Sequence, residues 1–180
     1  MPITSDISLM LLRELDGFTR EVQRFPDDAS LWTVVPGVSN SAGNLALHVS
    51  GNLQHFVGAL LGGSGYVRNR DAEFGASQGT RDGVVASLTA AADAVHATLA
   101  KVEERTLDEP MPGAPGGLQT TTGRFLLHLV AHTAFHLGQA GYLRRIVTGG
   151  SAGSAGPLPL DVLGAGGVTR VQPPAMAPIT

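Results

Sequence analysis

Apolar residues recur at helical spacing in four stretches of the chain, and segments rich in Gly, Pro or Ser separate them. Over residues 5–25, Ile7, Leu11, Leu15, Phe18, Val22 and Phe25 form one stripe, which Pro26 ends. Residues 32–38 read as a loop. A second helix is predicted to begin within residues 39–41, whose Ser and Asn side chains can accept from free backbone N–H groups, and to run to Leu61 before Gly62 and Gly63. The connection over residues 64–79 is longer than a helix hairpin needs and too polar for core. A third helix over residues 80–105 aligns Val84, Leu88, Ala91, Val95, Leu99 and Val102, with Thr80 as its cap. A turn-forming run at residues 110–117 precedes the fourth helix, residues 121–147, the most apolar of the set. Four such helices predict an all-α four-helix bundle.

Beyond residue 148 the pattern stops. Residues 149–180 are a tail rich in Gly, Pro and Ala with few apolar anchors, a composition that buries too little surface to offset its ordering entropy. The expected division is therefore a bundle over 1–148 and a C-terminal tail over 149–180. Charged residues are only 15% of the chain and the net charge is -3, with Lys and Arg scattered, so there is no basic stripe for nucleic acid. Neither a signal-type leader nor an apolar run of about 20 residues is present, so no membrane partner is expected and a cytoplasmic location is the working assumption. With no cysteine, thiolate nucleophiles, disulfides and Cys-ligated zinc are excluded, and a metal would have to sit on His, carboxylate or water.

Histidine is where chemistry concentrates. His128, His132 and His136 repeat every four residues along the fourth helix, which puts them on neighbouring positions of one surface. At roughly 100° per residue, His132 and His136 fall close to the axis set by Phe125, Leu129 and Leu143 and so face the bundle interior. His128 is turned further out, which makes it a residue that supports the ligands or one at the boundary. Two adjacent buried imidazoles leave ring nitrogens without partners, and a shared cation relieves that cost. His48, at the edge of the second helix's apolar face, is the candidate third ligand. The competing reading is a metal-free, hydrogen-bonded pair of histidines. His55 and His96 read as surface or boundary residues. Glu14, near the edge of the first stripe, and Gln139, one turn after His136, are candidate acceptors for an imidazole N–H, with a plain surface role as the alternative for Glu14 and a contact with a neighbouring subunit as that for Gln139.

The segment Leu126-Leu127-His128-Leu129-Val130-Ala131-His132-Thr133-Ala134-Phe135-His136-Leu137-Gly138-Gln139 resembles the last-helix signature of the DinB superfamily, in which a His-x-x-x-His pair precedes Gly-Gln. Asn40-Ser41-Ala42-Gly43-Asn44-Leu45-Ala46-Leu47-His48-Val49-Ser50-Gly51-Asn52-Leu53 is similar to the motif that brings that family's remaining histidine. Arg68-Asn69-Arg70-Asp71-Ala72-Glu73-Phe74 is similar to a sequence following that helix in one related bacterial family of unknown function. The resemblance, over residues 5–148, implies an up-down-down-up DinB-like bundle that pairs as a homodimer. It also implies that His48, His132 and His136 hold one divalent metal ion, with Zn or Ni leading and Fe also compatible with the donor set.

Some members of that superfamily are transferases using a low-molecular-weight bacterial thiol; others have no assigned reaction. The implied function is a metal-dependent enzyme, a thiol S-transferase or hydrolase acting on a small molecule, with no catalytic residue beyond the metal ligands evident. A non-catalytic metal-binding or stress-related interaction module is the alternative. Arg68, Arg70 and Glu73 lie where they can orient a charged substrate at the mouth of the site, against the simpler reading of a solvated loop tied by Arg-carboxylate pairs.

Overall fold

The computed structural model describes residues 2–113 and 115–150. The first stripe forms α1 (Ile3–Gln23) and the third and fourth form α5 (Arg81–Leu99) and α6 (Thr122–Val147). The second forms α3 (Ala42–Leu53), which continues into a wider π-helical stretch, Gln54–Leu61. Two short helices were not anticipated, α2 (Asp28–Leu31) and α4 (Arg70–Gly75).

Side-chain caps fix three of the long helices where the sequence places them. Ser41 and Asn44 make a reciprocal capping box at α3, Thr80 accepts from Gly83 N at α5, and Thr121 accepts from Arg124 N at α6. The N-terminus of α1 has no such cap of its own. Glu104 supplies it from across the fold, accepting from Thr4 N at 3.1 Å and Thr4 Oγ1 at 3.2 Å. This corrects the expected extent of the third helix: α5 stops at Leu99, and a 3₁₀ turn over Glu104–Asp108 turns the carboxylate toward α1.

α1 packs against α5 and α6, and α3 packs against the same pair, so α1 and α3 are diagonal. The chain directions follow from individual contacts. Arg81, at the start of α5, binds Asp28 Oδ1 and the Phe25 carbonyl just past the end of α1, so those helices are antiparallel. Ser50 donates to the Ser87 carbonyl while Gly58 lies beside Ala94, so α3 and α5 run together. Phe56 meets Phe125 at 4.9 Å, whereas His48 meets His132 and His136 further along α6, so α3 and α6 oppose each other. The result is the up-down-down-up order.

The expected stripes make the core. Leu11, Phe18, Leu31, Val49, Leu53, Val57, Ala91, Val95 and Leu126 have almost no exposed surface, each large one contributing about 1.5–3 kcal/mol relative to exposure. Residues 32–38 follow α2 as the expected loop, whose first residue, Trp32, is buried and donates from Nε1 to the Gly79 carbonyl at 2.8 Å. Its ring lies against Gly43, where a Cβ would meet Cε3 at 2.7 Å, so glycine there lets α3 and the α2 segment close.

A charged contact also lies inside. Glu21 on α1 accepts from Arg144 Nε on α6 at 2.5 Å, and both side chains are buried. Among the described residues no helix is long and apolar enough to cross a membrane. The tail assigned to residues 149–180 lies, after Gly150, outside the described residues.

Candidate metal centre

The three imidazoles expected to converge do so. His48 Nε2 and His136 Nε2 each stand 3.2 Å from His132 Nε2, and the three ligand atoms lie within 4.8 Å of one another. His48 is buried on α3; His132 and His136 are half-buried on α6.

Ring nitrogens show which atoms are available to a cation. His48 Nδ1 lies 3.1 Å from Glu73 Oε2. An ionised carboxylate only accepts, and Arg68 Nη2, 3.1 Å from the same Nδ1, has Glu73 Oε2 to donate to at 2.7 Å, so the tautomer that suits both contacts carries its proton on Nδ1 and leaves Nε2 bare. His136 Nδ1 is 2.7 Å from Gln139 Oε1, which suits the same tautomer. Two bare nitrogens thus face His132 Nε2, and one hydrogen there satisfies only one of them. Without an ion, at least one close contact pairs lone pair with lone pair.

Two of the three spacings, those from His132 to His48 and to His136, suit a small ion. Two nitrogens about 2.05 Å from a common metal at a tetrahedral angle stand about 3.3 Å apart, near the observed 3.2 Å. The electrostatics agree with neutral ligands. His132 is pushed down from 6.5 to about 3, by burial first and then by His136, His48 and His128. Burial also holds His136 below its ordinary value, with His48 acting the same way and the Gln139 bond opposing.

Gln139 therefore has the acceptor role expected of it. Glu14 has neither of its expected roles: it is buried, not at the surface, and takes no hydrogen bond from any of the three imidazoles. Its Oε1 accepts instead from Arg13 Nη2 at 2.6 Å. His128 is exposed, its ring between Phe125 and His132 at 5.6 and 5.7 Å, as a boundary residue should be. His96 is exposed and His55 half-buried, and neither joins the cluster.

The largest departure concerns residues 64–79. An Arg-carboxylate pair is present but is not solvated: Glu73 is buried and Arg68 nearly so. Arg68 Nε and Nη2 each donate at 2.7 Å to separate oxygens of Glu73. Burial pushes the Glu73 carboxyl up, but the bonds from Arg68 and His48 and the Arg68 charge outweigh it and hold it below the usual range. Phe74 follows, its ring 4.7 Å from that of His48, and Arg70 lies over Phe74 at 4.8 Å. A sequence signal for this approach exists in Gly51, one turn after His48 in a helix interior where glycine costs about 1 kcal/mol. A Cβ there would run into Glu73 Oε1.

Beside the three histidines lies an open cleft of about 690 Å³, lined by Asn40, His48, Arg70, Asp71, Phe74 and His136. Fold and site together define an all-α bundle with a three-histidine set, on two antiparallel helices, that can hold one metal ion at the edge of a cleft. The DinB superfamily profile matches residues 10–140, and the chain belongs to that superfamily. No curated protein and no solved structure matches it.

Proposed function

We propose that the chain is a metal-dependent enzyme in which His48, His132 and His136 hold one divalent ion, zinc or nickel, and a small-molecule thiol or water is activated for transfer or hydrolysis. The observation that carries this reading is the position of the converging nitrogens at the wall of the cleft, with His48 and His136 among its lining. Three protein ligands around such an ion leave at least one position for an exogenous group, which a closed four-ligand site would not. When bound, the ion supplies Lewis acidity, lowering the pKa of a coordinated thiol or water.

The protein's own groups divide the remaining work. Gln139 fixes the His136 ring through Nδ1. Phe74 shields one side of His48 from water. Arg70, exposed at the cleft wall, offers a cation to an acidic group on an incoming molecule.

Cobalt(II)-substituted protein titrated with 2-mercaptoethanol tests the proposal. A change in the visible and near-ultraviolet spectrum that saturates with thiol is expected. A spectrum indifferent to thiol would favour a non-catalytic metal-binding module, in which the ion only stabilises the bundle.

We also propose that two copies pair through the outer face of α6. Phe135, Tyr142 and Ile146 are each more than half exposed there. Tyr142 and Ile146, with Val38, border a mainly apolar groove of about 590 Å³, and surface of this kind on a bundle calls for a covering partner. Ile146→Glu should halve the mass measured by light scattering; a parent already at monomer mass would reject the pairing.

A further inference from the structure

We propose that residues 68–76 form a latch whose task is to aim His48: Glu73 holds the ring, Arg68 holds Glu73, Asn44 holds the backbone behind it, and Gly51 leaves the opening through which the carboxylate arrives. The inference rests on the three-histidine metal site and adds positioning residues to it.

α4 has only six residues, too few to be stable alone, so its place is set by what it docks on. Asn44 is the clamp. Its Nδ2 lies within bonding range of three carbonyls at the end of α4, those of Ala76 at 2.7 Å, Glu73 at 3.1 Å and Phe74 at 3.4 Å. Its Oδ1 is fixed in turn by Ser41, from N at 3.1 Å and Oγ at 2.7 Å. The residue that completes the capping box of α3 thus also carries α4, one helical turn before His48.

The buried carboxylate then meets two donors. Arg68 grips both oxygens, and His48 Nδ1 lies 3.1 Å from Oε2. Arg68 Nη2 also comes within 3.1 Å of His48 Nδ1, so guanidinium, carboxylate and imidazole form one compact triangle. With its hydrogen-bonding edge turned inward to Glu73, Arg68 is committed to the latch and not to recognising a substrate. An ion pair that merely tied α4 to α3 would have no need to end on a metal-facing imidazole, nor would α3 need a side-chain-free position at Gly51. A carboxylate on the far nitrogen of a metal-binding histidine fixes the ring and raises its basicity, and its loss typically weakens metal binding about 10–100-fold.

Zinc(II) affinity of the full-length protein, measured by competition with a chromophoric chelator, tests the latch when paired with thermal melts of the metal-free forms. Glu73→Ala should weaken zinc binding by about 10–100-fold, and Glu73→Gln, which keeps an acceptor oxygen, should recover part of that loss. Gly51→Ala, which displaces the carboxylate without deleting it, should also weaken binding, and it carries the test if the Glu73 variants fold poorly. The cobalt(II) spectra of these variants should differ from the parent's, a change that a purely structural tie would not produce. Parent-like zinc affinity and cobalt spectra in all three variants would overturn the latch while leaving the triad standing. A parent that binds no zinc would overturn both.

Discussion

Replacing His132 with alanine is expected to lower zinc affinity by more than the about 100-fold that follows loss of a group orienting a ligand, because His132 Nε2 is the atom that both other imidazoles approach. The same substitution should change how the metal-free protein responds to acid. In the folded chain His132 stays neutral down to about pH 3, while in the unfolded chain it takes a proton near 6.5. Between those values the unfolded state binds the extra proton, so stability falls as pH falls through that window. The half-buried His136 acts in the same direction. Glu73, whose carboxyl is depressed, adds its loss only below the ordinary carboxylate range. Urea denaturation of chelator-treated protein from pH 7 to pH 4 should show a steep loss for the parent and a shallower one for His132→Ala. Parallel curves would mean that His132 is not held neutral by its neighbours.

The second large effect concerns the fold. Glu21→Ala should cost about 3–5 kcal/mol, because it takes away the carboxylate that Arg144 Nε donates to inside the bundle. For a chain of this size that corresponds to a fall in Tm of roughly 6–20 °C, at about 2–4 °C per kcal/mol. Removing both charges, as Glu21→Met with Arg144→Met, should cost far less than Glu21→Ala alone, since no charge is then left buried. Equal losses in the single and double variants would show that packing, not charge, sets the cost at this level of α1 and α6. Gly141 belongs to the same contact: a Cβ there would lie 3.3 Å from Glu21 Oε1.

The parts of this molecule governed by periodicity were legible in its sequence. The stripes from Ile7 to Phe25 and from Val84 to Leu99 are buried as their spacing requires, and the capping residues Ser41, Thr80 and Thr121 stand where the helices begin. His132 and His136 were legible for the same reason, since spacing of four on an apolar face fixes where two side chains go. The apolar face of the second helix made His48 the candidate third ligand, but that this helix runs antiparallel beside them came from the family resemblance.

What escaped the sequence depends on contacts between segments far apart in the chain. Glu73 is polar, sits in a polar stretch and looks solvated; it is buried because Asn44 and Arg68 draw it onto α3 over Gly51. Glu21 reads as a surface residue of α1, yet Arg144 on α6 accompanies it inside. The early end of α5 is of the same kind, since Glu104 leaves the helix to cap α1. In each case a buried polar or charged group outweighs local propensity, and for Glu21 with Arg144, Asn44 with Glu73 and Thr4 with Glu104 no window of a single segment contains both halves of the pair.

Metal content of untagged protein, measured by plasma mass spectrometry after reconstitution with zinc or nickel and removal of loosely bound ions, is the most direct test of the three-histidine site. About one ion per chain is expected for the parent, falling to background in His48→Ala, His132→Ala and His136→Ala. No retained ion in the parent, or full occupancy in the three variants, would contradict it.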